Sequence, residues 1–134
     1  MTTEERRPTV IIADDYAHVH PMLRRLLEPE FEVVEDVFDG KALLEATVRL
    51  KPDLIVVDIF MPILGGIEAV QRLKALSLRV SVVFITADDQ QETMQRALNT
   101  GALGYVRKAS AAEDLLPAAQ AVLRGERFVS GNPP

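Results

Sequence analysis

The sequence predicts a doubly wound α/β fold, in which helices cover both faces of a parallel sheet. Two observations carry this. Residues 10–13, 54–57 and 80–85 are short runs, apolar at consecutive positions and rich in Val and Ile, which is how a strand buried on both faces reads. Amphipathic helical patterns fall between them, so strand and helix alternate five times along the chain. Such alternation implies right-handed crossovers and a layered sheet.

Each element has its own signal. After a polar, charged stretch over residues 1–8, the first strand runs through 10–13. Val19, Leu23, Leu26 and Leu27 then share one helical face, and Pro21 is tolerable because it lies in the first turn. Residues 31–37 mix Val33, Val34 and Val37 with Glu32, Glu35 and Asp36, as a strand with one wetter face at a sheet edge would. Asp39-Gly40 precedes a second helix carrying Leu43, Leu44, Val48 and Leu50. The strand at 54–57 leads to a third helix through Ile67, Val70, Leu73, Lys74 and Leu76. The strand at 80–85 leads to a fourth helix over 90–100, closed by Gly101. A short strand at 104–106 precedes the last helix, on Leu115, Leu116, Ala119, Val122 and Leu123. There Ser110 and Glu113 form a predicted capping box, and Gly125 marks the end.

The totals bound the function. At 134 residues the chain is one domain with room for a real core. It has no cysteine, hence no disulfide framework or thiolate metal site. No apolar run approaches the ~18 residues of a membrane span, and MTTEERRPT has no apolar stretch behind it. All this fits a cytoplasmic protein with no membrane partner. The net charge is −5 and the basic residues are scattered, which argues against direct nucleic-acid binding.

Chemistry collects at the predicted strand ends. In an open parallel sheet, ligands bind outside the carboxyl ends of the strands. The first strand ends at Asp14-Asp15, the third at Asp58, the fourth at Thr86, and the fifth runs into Lys108. Taken singly, each has an ordinary explanation as a helix cap, a turn residue or a solvated charge. Together, three carboxylates repel one another unless a cation neutralises them. Hard oxygen ligands suit Mg2+ or Mn2+ rather than zinc. Lys108 and Thr86 would add a charge and a hydroxyl suited to a phosphoryl group. Asp58 is then the natural nucleophile, able to carry an acyl phosphate.

The ordered set Asp14-Asp15, Asp58 with Met61-Pro62, Thr86-Ala87 and Lys108 resembles the receiver domain of two-component response regulators, from about Thr9 to Gly125. The resemblance implies a flavodoxin-like (βα)5 sandwich with a five-stranded sheet of order 2-1-3-4-5. It implies that Asp58 accepts a phosphoryl group from a sensor histidine kinase. Asp15, Asp58 and the backbone carbonyl of Phe60 would hold Mg2+, with Asp14 acting largely through water. Thr86, Ala87 and Lys108 would contact the phosphoryl oxygens. Thr86 and Tyr105 would form the switch, Tyr105 rotating inward on phosphorylation.

The stretch GERFVSG near the end is similar to the NarL/FixJ (LuxR-type) branch, where it leads to a helix-turn-helix output domain. On that reading residues 1–8 are a tail, 9–127 the receiver, and 128–134 the start of a linker to an output domain the chain lacks. DNA contact would come only through that domain, and phosphorylation could drive a homodimer. A stand-alone interaction module is the alternative. A Mg2+-dependent phosphohydrolase of the haloacid dehalogenase pattern would need an Asp where Phe60 stands. A flavodoxin-type cofactor binder would want a phosphate-cradling loop where Asp14-Asp15 stand.

Within the resemblance, Gly65 replaces a frequent Asp. Phe60 and Asp88 lie two residues beyond Asp58 and Thr86. Either they face each other across the site and modulate hydrolysis of the acyl phosphate, Phe60 covering the phosphoryl group and Asp88 orienting or repelling the attacking water, or both point outward and only their backbones matter. His18 and His20 are expected to be exposed surface histidines, and Arg24-Arg25 either part of a docking face near the first helix or a solvated helix face.

Overall fold

A computed structural model describes residues 6–88 and 90–131. The first part of the expected tail, 1–5, and the end of the expected linker, 132–134, lie outside the described residues. The strands are β1 (Thr9–Ala13), β2 (Glu32–Val37), β3 (Leu54–Asp58), β4 (Ser81–Thr86), β5 (Gly104–Arg107) and β6 (Phe128–Val129). The helices are α1 (His20–Leu27), α2 (Gly40–Leu50), α3 (Gly66–Ala75), α4 (Gln91–Leu98) and α5 (Ala111–Leu123). Short 3-10 turns at Ala17–Val19 and Lys108–Ser110 precede α1 and α5. No helix among the described residues is long and apolar enough to cross a membrane.

All pairings are parallel, in the order β2-β1-β3-β4-β5-β6. The expected order therefore holds, extended by one strand. The addition is two residues long: Phe128 and Val129 pair with Gly104 and Tyr105 of β5. They are the first two residues of the stretch expected as linker.

The period-two alternation of strands divides the core. Ile11, Ala13, Ile55, Val57, Phe84 and Tyr105 face one layer, packed with Leu43, Ile67, Val70, Leu73 and Ala97 of α2, α3 and α4. Val10, Ile12, Leu54, Val56, Val83, Ile85 and Val106 face the other, with Leu23 and Leu27 of α1 and Leu115, Ala118, Ala119 and Val122 of α5. Both sets are buried, which is why β1, β3 and β4 read as unbroken apolar runs. β2 pairs only with β1 and keeps its wetter residues, as an edge strand does.

Local signals hold with two differences. Asp39 caps α2, its carboxylate accepting from the Ala42 N–H at 2.7 Å. Gly101 and Gly125 follow α4 and α5 with φ of +95° and +80°, the left-handed conformation that terminates helices. Ser110 stands at the N-cap of α5, but its side chain makes no capping bond. The 3-10 turn gives it φ −108° and ψ 9°, away from the extended backbone of a capping residue. Pro117 lies inside α5 on its exposed side, where the carbonyl it cannot bond is left near water.

Candidate functional site

Parallel register brings the strand ends together. Ala13 aligns with Val57, Val57 with Phe84, and Asp58 with Ile85, so Asp14 and Asp58 leave neighbouring strands at the same level. Thr86 aligns with Arg107, and Lys108 follows at once. β3 delivers Asp58 from a run in which every residue is buried, so the carboxylate sits on a rigid base. The loop beyond it is pressed close. A Cβ on Gly66 would stand 2.2 Å from the Asp58 carbonyl oxygen, so only glycine fits there. Ile63, in the same loop, has φ +70° and is 77 % exposed. The Leu64 N–H donates to Pro62 O at 2.7 Å around it, a tight turn of the strained γ form.

Asp14, Asp15 and Asp58 bring one carboxylate oxygen each within 4.8 Å of one another. Asp14 and Asp58 are buried and Asp15 is exposed, so the cluster is walled on one side and open on the other. The Lys108 Nζ lies 2.8 Å from Asp14 Oδ2 and 3.4 Å from Asp58 Oδ2. It donates to Asp58, but it approaches Asp14 Oδ2 outside hydrogen-bond geometry, leaving that buried oxygen without an aligned donor. Asp14 Oδ1 accepts from the Tyr16 N–H at 2.9 Å, and the Tyr16 ring centroid lies 5.3 Å from the same ammonium.

Burial and the neighbouring Asp14 push the Asp58 carboxyl up to about 6, against the pull of Lys108 and the Phe60 N–H. Burial works against the Lys108 charge, but Asp14 and Asp58 outweigh it and hold Lys108 above its ordinary value. One ammonium among three carboxylates leaves the cluster with excess negative charge. Such a cluster of hard oxygen donors, short of positive charge and open on its Asp15 side, fits Mg2+ or Mn2+.

Thr86 is fully buried at the end of β4. Its Oγ accepts from the Asp88 N–H at 3.0 Å, and a hydroxyl that accepts still has its own hydrogen to donate. Ala87 follows it, exposed. Tyr105 is already inward, 2 % exposed, with its hydroxyl donating to Asp88 O at 3.3 Å. Phe60 is exposed at the rim. The Asp88 carboxylate accepts from the Gln90 N–H at 2.9 Å and from Thr93 Oγ at 3.0 Å, so both its oxygens serve the start of α4.

The expectation for His20 is overturned, while His18 is exposed as expected. His20 is buried, 5 % exposed, between Asp14 O at 2.7 Å and Asp36 Oδ1 at 2.9 Å. Arg24 is more than a solvated charge, since its guanidinium donates to Asp36 Oδ2 at 2.7 Å. The spacing of His20, Leu23 and Leu27 on one helical face was the available signal. At the opposite, amino edge of the sheet a cleft of about 690 Å3 is lined by Lys51, Asp53, Lys74 and Arg79 among polar and apolar residues. It contains none of the residues of the acidic cluster.

The sequence profile of the response regulator receiver domain matches residues 10–120. The chain is 35 % identical over 99 residues to the chemotaxis protein CheY of Halobacterium salinarum, covering 74 % of this chain and 82 % of that one. It is 34 % identical over 128 residues to the nitrate/nitrite response regulator protein NarL of Escherichia coli, covering 91 % of this chain and 57 % of that one. The crystal structure of a LuxR-family two-component response regulator from Aurantimonas superposes with a TM-score of 0.88 at 29 % identity, over 94 % of this chain and 91 % of that one. The chain thus spans a little over half of the NarL relative.

Proposed function

The chain belongs to the response regulator receiver domain family, on its NarL/FixJ side, and from that premise we propose that it is a phosphoacceptor switch in two-component signalling. The observation that carries this reading is the Asp58 carboxylate, buried at the rim of β3, with two further carboxylates and one ammonium around it. An oxygen of Asp58 attacks the phosphorus of a phosphohistidine on a sensor histidine kinase. The phosphorus–nitrogen bond breaks, the imidazole leaves and takes up a proton, and an acyl phosphate remains on Asp58.

Asp15, Asp58 and the Phe60 carbonyl would hold Mg2+, with Asp14 beside them, and the ion supplies charge neutralisation for the phosphoryl oxygens. Lys108 trades its hold on Asp58 for a phosphoryl oxygen, and the Thr86 hydroxyl and Ala87 N–H donate to the others. Thr86 also contacts the Asp88 N–H, and Tyr105 holds Asp88 O. Movement of Thr86 toward the new group therefore favours the inward Tyr105 and reshapes the surface of α4 and β5. Phe60 shields the acyl phosphate, and Asp88 influences its lifetime through the start of α4.

The only chemistry is on the chain itself, phosphoryl acceptance and hydrolysis, in the cytoplasm. Residues 9–127 together with β6 (Phe128–Val129) form the receiver, and the residues after β6 lead toward a helix-turn-helix output domain, through which alone DNA is bound, with homodimerisation on phosphorylation. A stand-alone receiver is the second reading, supported by the 82 % coverage of the archaeal CheY.

Incubation with acetyl phosphate and Mg2+, followed by intact mass, tests the proposal. Wild type gains one phosphoryl adduct and Asp58→Asn none. No adduct on wild type, or an unchanged adduct on Asp58→Asn, overturns it.

A further inference from the structure

Asp14 is held at both of its backbone polar groups. Its N–H donates to Val37 O on β2 at 3.1 Å, and its carbonyl oxygen lies 2.7 Å from His20 Nε2. A carbonyl oxygen only accepts, so Nε2 carries the hydrogen of that bond. The other ring nitrogen, Nδ1, faces Asp36 Oδ1 at 2.9 Å, and Asp36 is anchored by Arg24 at 2.7 Å. The Phe38 ring packs on the imidazole with centroids 4.6 Å apart. The result is a continuous chain of contacts from α1 and β2 to the backbone at the end of β1.

That carbonyl belongs to the planar peptide joining Asp14 to Asp15. Fixing its oxygen fixes the plane, and with it ψ of Asp14 and φ of Asp15. Those angles set where both carboxylates point. We propose that His20 is a positioning residue for the acidic cluster, its Nε2–H locking the Asp14–Asp15 peptide so that the two carboxylates and Asp58 converge on one cation. The role rests on the metal-binding reading of that cluster. Without the donor, the buried carbonyl turns to find another partner, and the carboxylates turn with it.

The two nitrogens of His20 can be removed separately. Gln places its amide nitrogen near the position of Nε2, and Asn near that of Nδ1. His20→Gln therefore keeps a donor to Asp14 O and loses the link to Asp36, whereas His20→Asn does the reverse. The readout is Mn2+ affinity, from electron paramagnetic resonance of the free ion on folded protein, with melting temperature in chelator recorded beside it.

We expect His20→Asn and His20→Phe to weaken Mn2+ binding by about tenfold or more, as loss of an outer-shell partner does, while His20→Gln stays within about threefold of wild type. A purely structural anchor for Asp36 would give the opposite order. His20→Asn binding as tightly as His20→Gln, or all three variants matching wild type, overturns the proposal. If the His20 variants do not fold, imidazole nitrogen-15 spectra of the wild-type chain decide: a hydrogen held on Nε2 whose resonance moves when Mg2+ is added supports the proposal, and an Nε2 without a hydrogen, or one indifferent to Mg2+, overturns it. Wild type that binds no Mn2+ overturns the metal reading and this role with it. Wild type that binds while the variants do not differ overturns the positioning role alone.

Discussion

Asp36 and Asp58 each stand beside a cation, yet their carboxyls are driven in opposite directions. Burial pushes Asp36 up, but hydrogen bonds and charge from Arg24 and His20 outweigh it and bring it below its ordinary value. Burial also pushes Asp58 up, and Asp14 adds to the rise, so Lys108 and the Phe60 N–H leave it at about 6. Depth and sharing account for the difference. The Asp36 side chain is 27 % exposed and is paired with both Arg24 and His20, while that of Asp58 is 5 % exposed and shares one ammonium with Asp14. A carboxylate with its own partners is structural. One that must share becomes a cost, which a bound cation or phosphoryl group can relieve.

The two also act oppositely on stability. Between 3.8 and about 6 the folded chain holds more protons at Asp58 than the unfolded one, so in metal-free buffer stability falls as pH rises through that window. The ionised form costs on the order of 3 kcal/mol at neutral pH. Asp36, depressed below 3.8, contributes stability that is present above that value and lost as pH falls through its folded pKa.

Replacing Asp58 by Asn should have the largest effect. In chelator at pH 7 the variant gains on the order of 2–3 kcal/mol in urea unfolding, and its stability no longer declines between about pH 4 and 6. Less stability than wild type at pH 7 would break the comparison. Changing the neighbours sharpens it. Carbon-13 titration of the Asp58 carboxyl should show a midpoint above about 6 in Lys108→Met and below it in Asp14→Asn, because one removes the attraction and the other the repulsion.

Asp36→Asn should cost about 1 kcal/mol at neutral pH, allowing for solvent screening of its ion pairs. The gap from wild type should shrink as the solution is acidified below 3.8, and a gap independent of pH would count against a charge effect. Ile63→Gly is the uncharged control at the same rim. It should gain about 1 kcal/mol by relieving the left-handed backbone, with no change in the pH profile. A pH-dependent gain would mean the loop is coupled to Asp58.

The interior strands and the site were legible for linked reasons. A strand covered on both faces must be apolar at consecutive positions, and a parallel sheet collects its chemistry where such runs end. Asp14, Asp58, Thr86 and Lys108 could therefore be picked out by position. His20 was not, because a lone histidine beside Pro21 reads as surface. The 3-10 turn at Ala17–Val19 sets the phase with which α1 begins, and that phase turns His20 inward beside Leu23 and Leu27. Asp36 read as the wet side of an edge strand, and its partners lie on α1, 12 and 16 residues earlier. β6 is too short for a two-residue period to show, and the 3-10 turn before α5 takes Ser110 out of the backbone state its cap needed.

The sequence by itself determined the order of elements, which strands are interior, and which carboxylates, hydroxyl and ammonium stand at their ends. Those follow from local periodicity and from where apolar runs stop. Only the tertiary structure decided how the ions are shared: that Lys108 serves both Asp14 and Asp58, that Asp36 has Arg24 and His20, and that a buried histidine holds the Asp14 carbonyl. Charge and hydrogen bonding act over distances of a few Å between elements far apart in the chain, and no spacing along one segment records them.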